Sequence, residues 1–171
     1  MTMVLTKPEL IAALQAEVRI LLHLAGKIDP AKLDYRPTPK QRSTVELLKY
    51  LSMMGPALVQ AARAGAFDGA AWAAAEQAAS VQTHEQALAA IAAQPGAYAS
   101  LLDDVSDDDL RVEIDPFGAG KSSRGAFLVT QVLCSCAAYR TQLFLYLKAC
   151  GREELNTWNL WVGIDEPPAA H

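Results

Sequence analysis

Between about Ser123 and Cys150, the residues Ser135, Tyr139, Gln142 and Tyr146 follow one another at steps of four, three and four. At 3.6 residues per turn this spacing is a single stripe of a helix, so a hydroxyl, two phenols and a carboxamide share one face. Such groups donate and accept hydrogen bonds and can orient a small polar ligand. They are poor donors to a first-row divalent metal, which prefers imidazole, thiolate or carboxylate. The neighbouring stripe is apolar: Val129, Leu133, Cys136, Leu143, Leu147 and Cys150. The polar positions thus stand beside the core, where a pocket can open.

Other chemistry-bearing residues are few. The three cysteines, Cys134, Cys136 and Cys150, form no disulfide framework, and their odd number suits a reducing compartment. Cys134 and Cys136 point about 200° apart on a helix, so they do not share a metal. Cys136 and Cys150 share a face but are about 21 Å apart at 1.5 Å per residue, too far to bridge. Of the three histidines, His23 lies near the apolar face of the first helix and can approach the pocket from the opposite side of the bundle. His84 opens a later helix and His171 ends the chain, both read as solvent-exposed. No Ser-His-Asp or Cys-His pair is indicated by spacing. The acidic group Asp103, Asp104, Asp107, Asp108 and Asp109 reads as a solvated turn, because it lacks the alternating ligands, central glycine and closing glutamate of a calcium loop. Gly118-Ala-Gly-Lys-Ser-Ser123 falls short of the full phosphate-loop pattern, and a glycine turn capped by Ser122 or Ser123 explains it, although amides at that helix start can hold an anion.

The elements that must position these residues are helices. Thr6 caps a first helix with Pro8 in its first turn and Glu9 in capping-box position, and Leu10, Leu14, Val18, Leu21, Leu22 and Ala25 recur until Gly26 and Pro30 stop it. Asp29 to Arg42 carries three prolines and reads as a loop. Ser43-Thr-Val-Glu46 is a second capping box, opening a helix through Leu47, Leu51, Met54 and Leu58 toward Gly65, with a kink or break expected at Pro56. The alanine-rich stretch around Trp72 is a short helix or ordered loop. Thr83-His-Glu-Gln86 opens a third long helix that Pro95-Gly96 is expected to bend or shorten. Leu110 to Phe117 reads as a short extended strand or hairpin arm, and the proline-free run to Gly151 is the last long helix.

Composition agrees with this pattern. Alanine supplies much of the 51% hydrophobic content and there are only four phenylalanines, which favours helix over sheet. With 171 residues the chain buries a core of its own and is read as one domain, 1–171. A net charge of −4 gives no general attraction for nucleic acid or an anionic membrane. No uninterrupted apolar run is long enough to span a bilayer, and the start of the chain lacks the pattern of a signal peptide, so a cytoplasmic location is expected.

Leu33-Asp-Tyr-Arg-Pro37 followed by Arg42-Ser-Thr-Val-Glu-Leu-Leu-Lys-Tyr-Leu51 resembles the second-helix signature of the DinB/YfiT-like superfamily, in which a histidine sits seven residues after the capping serine; here that position is Tyr50. Ser135-Cys-Ala-Ala-Tyr-Arg-Thr-Gln142 is similar to the superfamily's His-x-x-x-His-Arg-x-Gln pattern, with Ser135 and Tyr139 at the two histidine positions while Arg140 and Gln142 match. The resemblance runs from about Pro8 to Gly151. It implies an all-α four-helix bundle with a short extended segment before the last long helix, frequent homodimers, a divalent metal held by three histidines and, in several branches, thiol-dependent transfer or hydrolytic chemistry. All three histidine positions differ here, so no metal and no cofactor are expected.

The expected function is that of a metal-free small-molecule-binding or vestigial-site bundle, a homodimer, with Tyr50, Ser135, Tyr139, Arg140, Gln142 and His23 as candidate ligand-binding residues. Two alternatives accompany it. One is a thiol-dependent S-transferase-like enzyme in which Tyr139 or Tyr50 polarises a thiol and Arg140 holds a carboxylate; the other is a structural or partner-binding homodimer. The aromatic tail with Trp158 and Trp161 either packs over the helices or lines a pocket mouth or subunit interface.

Overall fold

Three reciprocal capping boxes start three of the long helices. The side chains of Thr6, Ser43 and Thr83 accept from the backbone three residues on, and Glu9, Glu46 and Gln86 reach back to the cap residues. Each box satisfies two backbone donors that a helix start otherwise leaves open. The computed structural model describes residues 5–167. His171 lies outside the described residues.

The helices are α1 (Lys7–Ala25), α2 (Thr44–Ala64), α3 (Gly69–Ser80), α4 (His84–Leu101), α5 (Arg124–Phe127), α6 (Cys134–Ala149) and α7 (Thr157–Trp161). A π-helical stretch, Leu128–Leu133, joins α5 to α6, so the last long helix is composite. α1, α2, α4 and the composite helix pack around one core, while α3 lies on the outer side of α2 and α7 on α1 and α6. Core layers come from Leu14, Val18 and Leu21 of α1, Leu47, Leu51 and Met54 of α2, Ile91 of α4, and Leu128, Val132, Leu143 and Leu147 of the composite helix, all buried. The architecture is the all-α bundle expected from the pattern.

The extended segment is smaller than the reading of Leu110 to Phe117. Only β1 (Glu113–Ile114) pairs, antiparallel, with β2 (Ser122–Ser123), and a 3-10 turn at Asp109–Arg111 precedes it. Ser123 caps α5, as the glycine turn required. The amides of Ala119 and Gly120 donate to the Asp115 carboxylate at 2.9 and 3.2 Å, so an internal anion already occupies them. Arg124 ties the start of the composite helix to α2 by donating to the Ala62 carbonyl at 3.0 Å.

Pro56 does not break α2. Proline has no N–H for the carbonyl of Ser52, four residues back. That carbonyl instead accepts from the buried Gln94 side chain of α4 at 3.1 Å, and the same Nε2 reaches the Leu51 carbonyl at 2.7 Å. α4 likewise runs through Pro95 to Leu101, and the Pro95 carbonyl accepts from Gln15 of α1. At Pro56 the neighbouring helix thus serves the carbonyl that the proline frees, whereas at Pro95 it bonds the carbonyl of the proline itself. The alanine-rich stretch is a true helix whose N-cap, Asp68, accepts from Ala70 and Ala71.

The acidic group does not converge. Asp104 pairs with Arg63 at 2.7 Å, Asp107 accepts from the Lys7 amide, Asp108 pairs with Arg111 and Asp109 accepts from Ser106. Among the described residues, no three His, Cys, Asp or Glu side chains are grouped to hold a metal. No described helix is long and apolar enough to cross a membrane.

Candidate functional site

Ser43 starts α2, which fixes Arg42 as the last residue outside it. The backbone there is clamped by the last helix: Gln142 donates to the Tyr146 hydroxyl at 2.5 Å, and that hydroxyl donates to the Arg42 carbonyl at 2.9 Å. Tyr35 packs edge-on against Tyr146, with ring centroids 5.5 Å apart. With its main chain held, the Arg42 guanidinium lies over the Tyr50 ring, 3.9 Å from the centroid. That is a cation–π contact at a partly exposed site, worth about 0.5–1 kcal/mol.

Tyr50 is the junction of the region. Its ring meets Tyr139 edge-on at 5.2 Å on the core side and Trp72 of α3 at 6.2 Å on the outer side. Burial, and then the adjoining Tyr139 hydroxyl, push the Tyr50 phenol above its ordinary range, and the Arg42 charge only partly offsets them. It is a neutral hydrogen-bonding group at any physiological pH. On its outer side a cleft of about 240 Å³ is bounded by Arg42, Glu46, Lys49, Tyr50, Glu76 and Ser80. Lys49 donates to the Ser80 carbonyl at 3.0 Å across the α2–α3 seam. Glu46 is engaged by the Ser43 amide and by Arg36 at 3.1 Å.

Of the six residues proposed from sequence, the structure brings Tyr50 and Tyr139 together. Ser135 is half-buried one helical turn before Tyr139, and neither of the two is among the residues that bound the cleft. Gln142 acts one step away through Tyr146.

Arg140 belongs to a different cluster. It is 3% exposed, forms a bidentate pair with Glu17 of α1 at 2.7 and 3.1 Å, donates to the Leu160 carbonyl and lies against Trp161. The carboxylate it holds is internal. The same interior contains Cys136, whose thiol is pushed up to about 12, chiefly by burial and then by the Glu17 charge. Next to it is the buried Tyr98 hydroxyl, which donates to Gln94 at 3.3 Å and is also raised by burial.

His23 sits with the C-terminal segment. Its Nε2 is 3.1 Å from the Asn159 amide nitrogen and 3.6 Å from Asp165, which pairs with Lys27 at 2.6 Å. Burial lowers the imidazole, against the pull of Asp165. α7 therefore packs over the bundle: Arg19 donates to Val162, and Gly163, at φ 71°, passes 3.1 Å (from its would-be Cβ) from the Ile20 backbone, where a larger residue has no room. Trp158 and Trp161 remain exposed on its outer side. His84, expected in solvent, is only 20% exposed, and its Nε2 is the one buried side-chain polar atom without a partner among the described residues.

Sequence reasoning missed Arg42, Lys49, Glu76 and Trp72 as neighbours of Tyr50. Arg42 and Lys49 stood inside the quoted second-helix segment, and their spacing of seven, two turns, was the available signal. Glu17 was also missed, although a lone carboxylate between Leu14 and Val18 on an apolar stripe needs a buried partner.

No protein-family model matches the sequence, and no curated protein matches it. Among solved structures, the chain is similar to a DinB-like protein, YjoA, from Bacillus subtilis, at 19% identity and a TM-score of 0.66, covering 87% of this chain and 96% of that one. At that identity the likeness speaks for architecture alone. The chain has a DinB-like, all-α fold.

Proposed function

We propose that this protein is a metal-free small-molecule-binding bundle that takes a small carboxylate in the cleft beside Tyr50. The observation that carries the reading is the Arg42 guanidinium, fixed over the Tyr50 ring at the cleft mouth with no carboxylate of the described residues in ion-pair contact. A guanidinium presents a fork of donors that matches a carboxylate. Its backbone is already anchored by Tyr146, so less is lost on ordering it. Lys49 supplies a second cation, and with Glu46 held by Arg36 only Glu76 opposes them.

A three-histidine metal does not fit the corresponding residues. Tyr50 is a phenol held neutral, Tyr139 packs edge-on against it, and Ser135 offers one hydroxyl. Neutral phenols and an alcohol are weak ligands for zinc, nickel or manganese. The two aromatic rings fill space beside the core with a cross-helix contact. The chemistry left to the region is recognition by charge and stacking on the outer face of α2.

Titration calorimetry with acetate and benzoate, beside melting curves with each carboxylate and with zinc, tests this. Saturable carboxylate binding with a raised melting temperature, weakened at least tenfold by Arg42→Ala, is the expected result. Absence of binding, indifference to Arg42→Ala, or a stoichiometric zinc that stabilises the fold would each sink it.

A further inference from the structure

The cleft beside Tyr50 has a neighbour. A second cavity, of about 410 Å³, lies farther along the same α2–α3 seam and is bounded by Ala57, Ala61 and Ala64 of α2, Ala71 and Trp72 of α3, and Phe67. The two share no lining residue and are separated by the contact of Tyr50, which borders the first, with Trp72, which borders the second, their ring centroids 6.2 Å apart; Trp72 continues to Phe67 at 5.5 Å. The seam therefore carries Arg42 and Lys49, with Glu46 and Glu76, at one end, is aromatic in the middle and is lined mostly by alanine methyl groups, beside Gln60 and Asp68, at the other. Asp68, at the far end, is committed to the amides that start α3.

α3 is suited to yield over such a groove. Ala79 is its only buried residue; Trp72 and Ala75 are its other packed side chains, and its main packing among the long helices is on α2. Alanine offers little area to hold two helices together, and each such contact is correspondingly weak. Two polar ties close the seam near its Tyr50 end: Lys49 donates to the Ser80 carbonyl at 3.0 Å, and the Ser52 hydroxyl donates to Gln82, just past α3, at 3.0 Å.

Resting on the carboxylate reading above, we infer that the ligand is an amphipathic monocarboxylate with an unbranched apolar tail. The head lies on Arg42 and Lys49, and the tail runs past the Trp72–Tyr50 pair into the alanine-lined groove beneath α3. Charge sets the direction, because among the described residues Arg42 and Lys49 border the Tyr50 end, whereas the far cavity is bordered by Asp68 and no cation. A neutral chain has no reason to prefer this groove, and a short carboxylate leaves it empty.

The test is a chain-length series on the full protein: acetate, hexanoate, octanoate and decanoate, with octanol as the uncharged control. Binding is read by calorimetry and by the fluorescence of Trp72 in a Trp158→Phe/Trp161→Phe background, which leaves Trp72 as the sole tryptophan. Affinity should rise on the order of tenfold for each two added carbons until the groove is filled. Tail-dependent emission changes should accompany it, and octanol should bind far more weakly. Ala71→Phe, or Ala64→Phe if the first does not fold, should abolish the chain-length dependence while acetate binding stays, since both alanines are exposed lining residues. Equal affinity for acetate and decanoate would overturn the tail assignment and leave the carboxylate cleft standing. No binding of any carboxylate would overturn both.

Discussion

Replacing Gly55 by alanine should destabilise this protein, against the ordinary rule for helices. In the interior of a helix alanine is better than glycine by about 0.8–1 kcal/mol, so a neutral environment predicts a gain of that size. Here a Cβ at position 55 would stand 1.9 Å from the Tyr98 hydroxyl oxygen and 3.1 Å from the carbon that bears it. Tyr98 is fully buried, so its ring has no open direction in which to retreat. Forcing an extra methyl into a filled core costs about 1–3 kcal/mol. Displacing the phenol also strains its hydrogen bond to Gln94, the side chain that serves the Ser52 carbonyl freed by Pro56. Set against the propensity gain, the packing cost alone leaves a net loss of up to about 2 kcal/mol, to which the strained hydrogen bond adds, read as a lower urea midpoint at an unchanged slope. Tyr98→Phe removes the atom in the closest clash, so in its background Gly55→Ala should cost much less, with a coupling energy of about 1 kcal/mol or more in the double-mutant cycle. A Gly55→Ala protein that is more stable than the wild type, or a cycle that closes additively, would refute the packing argument.

Other expected outcomes rest on the same interior. Arg140→Met should cost about 3–5 kcal/mol in urea unfolding because it strands the mostly buried Glu17 carboxylate, and adding Glu17→Leu should recover much of the loss; a small effect of the single change would mean the pair is well solvated. Gln94→Leu should cost about 1–3 kcal/mol by leaving the Ser52 carbonyl without a donor. An aromatic disulfide reagent should label Cys134, which is exposed, quickly in the native protein, whereas Cys136, half-buried and pushed up to about 12, should react far more slowly until the protein unfolds; equal native labelling rates would contradict its placement. His23 is held below its ordinary range, so the unfolded chain binds the proton more readily. Its contribution to stability is therefore full above about pH 6.5 and is lost as the pH falls through the window beneath it. His23→Gln should flatten that part of the stability profile, and an unchanged slope would show that the Asn159 and Asp165 contacts do not depend on the neutral ring.

The bundle was legible because its signals are local. Capping boxes, an apolar period and glycine stops each act within one turn, and all three boxes formed where Thr6, Ser43 and Thr83 placed them. What was not legible depended on partners distant in sequence. Pro56 read as a kink or break, and Pro95 as a bend or shortening, because the carbonyl lost to proline is visible in the sequence, whereas Gln94, which satisfies the Ser52 carbonyl, lies more than forty residues from it. The π-helical stretch at Leu128–Leu133 has no comparable local mark, although Thr130 there donates back to the Ala126 carbonyl. The stripe on the last helix divides for a similar reason. Tyr139 and Gln142 share a face as expected, but whether each reaches a ligand, a phenol or a carbonyl is decided by α2 and the loop before it.

Arg140 illustrates how a recognisable motif residue is reassigned by its neighbours. Next to Tyr139 in sequence, it points about 100° away around the helix, and that rotation carries it from the α2 side to α1 and Glu17. Arg42, outside any helix, has no carboxylate in ion-pair contact among the described residues, and unlike Arg19 and Arg124, which donate to backbone carbonyls, it stands where Tyr50 opens to the outside. A buried arginine already paired gains little by exchanging one carboxylate for another, since the displaced Glu17 would keep its charge in a poorly solvated place. A partly solvated arginine on an aromatic face loses little when a ligand carboxylate arrives. That comparison favours the proposed carboxylate site at the seam between α2 and α3 over one at Arg140. Arg42→Ala should therefore abolish carboxylate binding with little loss of stability, and Arg140→Met should do the reverse.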